Sequence, residues 1–192
     1  MGEPEQVNNN YAETNIYYDS EPVFTSEDAV DYGPAVTQLA LQNAWISPNY
    51  LYGKHWKKSK EMRDQLVHQV RNHLLMLPLA QREQAVLQEP RARVLRVTIT
   101  QGRGPYPDVD NLLGGLKHAI DALRRVKYRQ RKEEGKRNVV QTLDGPGLIW
   151  DDAPKWMRLA ELHVTRRKKD GSDKLPGKYV FFEIFEWPGY LS

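Results

Sequence analysis

The sequence predicts an α+β fold, on three observations. Two long stretches carry apolar residues at helical spacing, several short ones carry β-branched or aromatic alternation, and the last two strand-like stretches have no helical stretch between them. At 192 residues the chain is long enough for one domain with a real hydrophobic core. No apolar run approaches the roughly 20 residues that span a bilayer. The N-terminus, MGEPEQVNNN, has neither a basic region nor an apolar core, so it is not expected to be a secretory signal. Cysteine is absent, which removes disulfides and thiolate metal sites. A cytoplasmic protein is the expectation.

The elements follow in order. Residues 1–33 are polar and acidic, without periodicity, and read as a disordered or loosely docked leader to a domain over 34–192. Ala40 to Ile46 reads as a first strand, and SPNYLYG then supplies turn chemistry. Met62, Leu66, Val70 and Leu74 recur every four residues, with Val67 and Leu77 beside them, and Pro78 stops this amphipathic helix. His68 and His73 lie on it five residues apart, on different faces. Val94 to Thr100, VLRVTIT, alternates as a strand, and Gly102, Gly104, Pro105 and Pro107 break it. A second helix carries Leu112, Leu116, Ile120 and Leu123 as its stripe. Gly114 and Gly115 weaken its start by about 1 kcal/mol each relative to Ala, a cost that calls for a close neighbour. Residues 124–137, RRVKYRQRKEEGKR, are expected to be a helix end and then an exposed loop. Met157 to Arg166 and Lys178 to Glu186 read as strands of a terminal antiparallel hairpin.

Charge is distributed unevenly. Residues 1–53 hold eight acids and no Lys or Arg, so residues 54–192 carry all 28 bases against 17 acids. An excess of 11 positive charges makes a polyanion-binding surface the leading electrostatic reading, with a well-solvated surface as the plain one. The helix that starts near Lys54, Lys57, Lys58 and Lys60 places cations where its dipole disfavours them, which suits an external anion. Further bases are Arg124, Arg125, Lys127 and Arg129, continuing to Arg137, and then Arg166 to Lys169.

Two acidic pairs flank the second helix. Asp108 and Asp110 precede it, and Asp151 and Asp152 follow the apolar run Leu148–Ile149–Trp150. If the chain returns beside the helix, Asp108, Asp110 and Asp152 can share one space. Crowded carboxylates raise one another's pKa unless a cation sits among them. All-oxygen ligands without Cys point to Mg²⁺ or Mn²⁺ rather than zinc. Such an ion in a basic protein suits phosphodiester hydrolysis, with Lys117 facing the same site to offset developing charge. Each pair also has a plain explanation: Asp108 can close a turn after Pro107, Asp110 can be an ordinary N-cap, and Asp-Asp-x-Pro is a common turn.

Taken together, these motifs resemble the RusA family of Holliday-junction resolvases. The resemblance rests on Asp108-Val109-Asp110-Asn111, on Leu116-Lys117 to Leu123, and on Gly147 to Lys155 with its Asp-Asp-x-Pro-Lys. SPNYLYGKHWKKSKEMRD is similar to that family's Pro/Asn turn and basic helix, and the similarity runs from about Trp45 to Glu186. It implies a small mixed β-sheet with helices packed on it, and a homodimer that nicks opposed strands of four-way DNA junctions with Mg²⁺. It implies Asp108, Asp110 and Asp152 as catalytic metal ligands, Asp151 as a further acid beside them and Lys117 as the helix lysine. It also implies a phage or prophage origin. Two departures stand out: the lysine lies about one helical turn further from the DxDN motif than in the best-known bacterial form, and residues 124–146 are longer and more basic than the usual link. A DNA-binding accessory protein of the same fold without cleavage is the alternative. A Mg²⁺ nucleotide phosphohydrolase comes last, because no phosphate-cradling Gly loop is present.

Overall fold

The computed structural model describes residues 24–25, 32–46, 56–101, 108–133, 136–166 and 178–188. In chain order these form β1 (Phe24–Thr25), β2 (Thr37–Gln42), α1 (Trp56–Met76), α2 (Leu79–Ala85), β3 (Arg93–Gln101), α3 (Val109–Leu123), β4 (Lys127–Glu133), β5 (Lys136–Thr142), β6 (Met157–Arg166) and β7 (Tyr179–Glu186). The fold is α+β, with helices and a mixed five-stranded sheet ordered β1-β6-β3-β7-β2.

Strand β3 holds the centre because nearly everything in it is apolar or can be buried. Val94, Leu95, Val97, Thr98 and Ile99 are all buried, so both faces of the strand are covered. It pairs parallel with β6 and antiparallel with β7. This corrects the expected terminal hairpin: β6 and β7 are both strands, but β3 lies between them. Neither neighbour matches β3 in burial on both faces, so β3 takes the central position of the five strands.

The first strand also shifts from its expected place. Thr37, Leu39 and Leu41 are buried and alternate with exposed Gln38, Ala40 and Gln42, and Asn43 then ends the strand with φ 54°. Within the acidic leader, Phe24–Thr25 pairs with Leu162 and Glu161 at the sheet edge. Tyr32 packs against Phe185 and Trp187.

Helix α1 buries Leu66, Val67, Val70 and Leu74, and it packs on both β2 and α3. His73 turns inward to Thr37 Oγ1 (3.2 Å) while His68 stays exposed. Helix α3 buries Leu112, Gly115, Leu116, Ala119, Ala122 and Leu123. The weak glycine pair has a physical reason. A Cβ on Gly115 would lie 2.2 Å from Trp45 Nε1, which donates to the Leu112 carbonyl (3.1 Å), and Ile46 N donates to the Gly115 carbonyl (3.1 Å).

Residues 124–137 correct a second expectation. Helix α3 stops at Leu123 and the backbone turns extended at Arg124, with ψ 144°. The chain then forms an antiparallel two-stranded ribbon, β4–β5, separate from the main sheet. Tyr128, Val139, Val140 and Thr142 are the strand formers here, and the density of charge around them masked the strand signal. The ends of the ribbon converge at buried Gly145, where an added Cβ would lie 1.8 Å from the Arg124 carbonyl oxygen.

Candidate functional site

The site is built on α3 and on the chain that returns beside its C-terminal end. After the ribbon, Leu148 to Trp150 runs parallel to Leu123 to Val126. Leu148 N donates to Leu123 O (2.9 Å), Arg125 N to Ile149 O (2.8 Å) and Val126 N to Trp150 O (3.1 Å). Leu148, Ile149 and Trp150 are buried, so their side chains fix the register of this return. Asp151 and Asp152 therefore arrive next to Lys117, Asp121 and Arg124.

Each charged group in this cluster has named partners. Lys117 Nζ donates to Asp152 Oδ2 and to Asp121 Oδ1, the latter at 3.2 Å. Arg124 Nη1 donates to Asp152 Oδ1 (2.8 Å) and Asp151 Oδ1 (3.4 Å), while its Nη2 lies 3.4 Å from Asp121 Oδ1. Buried Asp151 accepts from the Tyr128 hydroxyl (2.7 Å) through Oδ2 and from the Asp152 amide (2.9 Å) through Oδ1. Arg124 is thus shared among three carboxylates at the end of α3.

This network sets the titration of its members. Burial opposes the charge on Asp152, but hydrogen bonds from Lys117 and Arg124, with the Arg124 charge beside them, outweigh it and hold its carboxyl well below the usual carboxylate range. Burial likewise works against charge on Lys117, and its bonds to Asp152 and Asp121 overcome that and raise its pKa. The hydrogen bond to Asp151, with desolvation behind it, raises the Tyr128 phenol. His118, next to Lys117 in sequence, is lowered by burial and by Arg63 and Lys117.

The other acidic pair stands at the opposite end of α3. Asp108 is the N-cap: its Oδ1 accepts from Asn111 N at 2.9 Å, a bond worth about 1 kcal/mol. Capping thus falls to Asp108, and Asp110 is the second residue inside the helix, exposed and among the described residues without a side-chain partner. Asp110, Lys117 and Asp121 are spaced seven and four residues apart, which places them on one face of α3. Asp110 lies two turns, about 10 Å along the axis, ahead of Lys117.

The structure accordingly joins Asp152 to Lys117 and both Asp151 and Asp152 to Arg124, and sets Asp108 and Asp110 further up the same helix. Among the described residues, no group of three or more His, Asp or Glu is gathered as a metal site. The donors nonetheless suit a hard cation in kind. They are carboxylate oxygens, Asp110 is exposed, and Asp152 stays ionised at any physiological pH. Both Asp152 oxygens are engaged, by Lys117 and Arg124, so any further cation there shares that carboxylate with the Lys117 ammonium.

The expected DNA contacts divide. Lys58 and Lys60 are exposed at the start of α1, which Ser59 Oγ ties to His118 Nε2 of α3 at 2.9 Å. Lys57 falls in the first turn of α1 and Arg129 in β4, their side chains outside the described residues, as are Lys54, Gly102–Pro107 and Arg167–Lys169. Arg124 faces the carboxylates. Arg125 reaches Gly145 O (3.4 Å) and Gln88 Oε1 (3.3 Å), and Lys127 lies 3.9 Å from Asp144. Sequence reasoning missed Asp121 and Tyr128. The i, i+4 spacing of Lys117 and Asp121 was a usable signal for the first; nothing local pointed to the second.

Among the described residues no helix is long and apolar enough to cross a membrane. No family model matches the chain, and no curated protein and no solved structure matches it either.

Proposed function

We propose that the protein is a Mg²⁺-dependent, structure-selective endonuclease of the RusA type that acts as a homodimer on four-way DNA junctions. The observation that carries this reading is the Lys117–Asp152 contact, which links the Asp-Asp motif to the helix that opens with Asp108 and Asp110. The large excess of positive charge over residues 54–192 supports a polyanionic substrate.

Asp108, Asp110 and Asp152 would hold the metal, with Asp151 behind them; when bound, Mg²⁺ or Mn²⁺ supplies a water of lowered pKa and charge for the phosphoryl oxygens. Asp151 and Arg124 orient Asp152. Lys117, more than half exposed, offers its ammonium to the developing negative charge on the phosphate. Lys58 and Lys60, beside α3, contact backbone phosphates without reading sequence.

A second reading, a DNA-binding protein without cleavage, draws on the engagement of Asp151 and Asp152 by cations of the chain itself, as in a purely structural charge network. Asp110→Asn separates the two. In a nuclease it abolishes cleavage and leaves junction binding equal or stronger, because one negative charge near phosphate is gone. Parallel loss of binding and cleavage, with the fold intact, sinks the metal-ligand role of Asp110.

A further inference from the structure

The ribbon β4–β5 lies outside the proposed chemistry, and its composition is unusual for a structural hairpin. Its two strands carry Lys127, Arg129, Arg131, Lys132, Lys136 and Arg137 against the single acid Glu133. The register puts positions 127, 129, 131 and 136 on one face and 132 and 137 on the other. Positions 132 and 137, Lys and Arg in the sequence, are register partners, a like-charge pairing that costs a ribbon stability, and only Glu133 opposite position 136 sets an acid against a base. An isolated two-stranded ribbon is marginal already, and this one forms its own sheet. A polyanion lying along the ribbon would offset this repulsion.

The base of the ribbon is fixed. The Tyr128 hydroxyl donates to Asp151 (2.7 Å), Thr142 Oγ1 donates to Lys127 O (3.3 Å), and Arg71 of α1 donates to Asp144 O (2.8 Å). These bonds tie the direction of the ribbon to the same Asp-Asp motif that meets Lys117. Seven residues per strand extend it about 24 Å, some two-thirds of a duplex turn of roughly 34 Å. The major groove of B-DNA admits a two-stranded ribbon of this kind.

We propose that β4–β5 is a DNA-binding arm that contacts the phosphate backbone of a duplex leading away from the carboxylate cluster, with Tyr128–Asp151 as the latch that orients it. This rests on the nucleic-acid reading above and extends it to a surface outside the cleavage chemistry.

The test measures binding of the full chain, in EDTA, to a labelled four-way junction and to a linear duplex across a salt series. Two variants are compared with the wild type: Arg129→Gln/Arg131→Gln/Lys136→Gln on one face, and Lys132→Gln/Arg137→Gln on the other. Each lost phosphate contact makes the slope of log K against log salt shallower by about 0.9, so the triple variant loses about 2 to 3 units and the double variant about 1 to 2. The double variant also melts at a higher temperature than the wild type, because the opposed charges are gone. Weaker DNA binding together with higher stability is a combination that misfolding cannot produce. Unchanged slopes in both variants, with wild-type binding intact, overturn the arm and leave the nuclease reading standing. A wild type that binds neither DNA takes down the underlying reading and the arm with it. The wild type is also incubated with the junction in Mg²⁺ and in Mn²⁺: ribbon-dependent binding with no nick in either metal upholds the arm and overturns the nuclease.

Discussion

Arg124 Nη1 lies 2.8 Å from Asp152 Oδ1 and 3.4 Å from Asp151 Oδ1, and its other terminal nitrogen lies 3.4 Å from Asp121. One guanidinium at the end of α3 therefore holds three carboxylates from two stretches of chain. The planar fork of arginine suits this, and a lysine would not reproduce it. Arg124→Ala leaves Asp151 largely buried with less compensation, so a loss of about 3 kcal/mol in a urea titration is expected. A loss below about 0.5 kcal/mol would show that the cluster contributes little to folding.

Lys117 is more exposed than Arg124 and contributes less to stability. Lys117→Ala is expected to slow cleavage of a bound junction at least tenfold while junction affinity changes less than about threefold. Single-turnover rates at saturating protein, set beside binding isotherms, check this. A wild-type rate would remove Lys117 from the chemistry.

The glycine pair of α3 divides into two opposite expectations. Gly115→Ala forces a methyl group onto the Trp45 indole and should destabilise by about 2 kcal/mol. Gly114 is exposed in the same helix, so Gly114→Ala should stabilise by up to about 1 kcal/mol. Thermal melting of the two variants side by side decides it; equal shifts would deny Trp45 its role.

Glu161 on β6 accepts from Arg96 at 2.7 Å and lies 3.0 Å from His163 Nε2. Burial raises its pKa, but the His163 hydrogen bond and the Arg96 charge and hydrogen bonds outweigh that and lower it from the ordinary glutamate value. A carboxylate lowered on folding stabilises above its unfolded pKa and loses that contribution as pH falls through the folded value. Glu161→Gln should therefore cost about 1 kcal/mol near pH 7, and the gap to wild type should close as acidification carries the pH below the ordinary glutamate range. A gap that stays constant with pH would show that the ion pair is not the cause.

Much of the framework was legible because it rests on local periodicity. The four-residue spacing of Met62 to Leu74 and the alternation of Val94 to Thr100 lead directly to α1 and β3. What the sequence hid was non-local. The separation of β6 from β7 depends on which strand can be buried on both faces, a property of the assembled sheet. The ribbon was hidden because charged residues dominate its strands and only four strand formers remain. At the site, the spacing of the two Asp motifs around α3 was visible, but which turn of α3 the Asp-Asp motif meets depends on the backbone bonds of Leu148 to Trp150. Tyr128 reaches Asp151 only because residues 127–133 are extended, so it could not be found while that stretch read as a loop.

The most direct test of the central claim is a nicking assay on a labelled synthetic four-way junction beside a linear duplex of matching arms, each with Mg²⁺ and with EDTA. The account predicts paired, symmetric nicks in the junction alone, present with Mg²⁺ and absent with EDTA. Tight junction binding with no nick in Mg²⁺ or Mn²⁺ would contradict it, and would leave Asp108 as a helix cap and Asp151 and Asp152 as structural partners of Arg124.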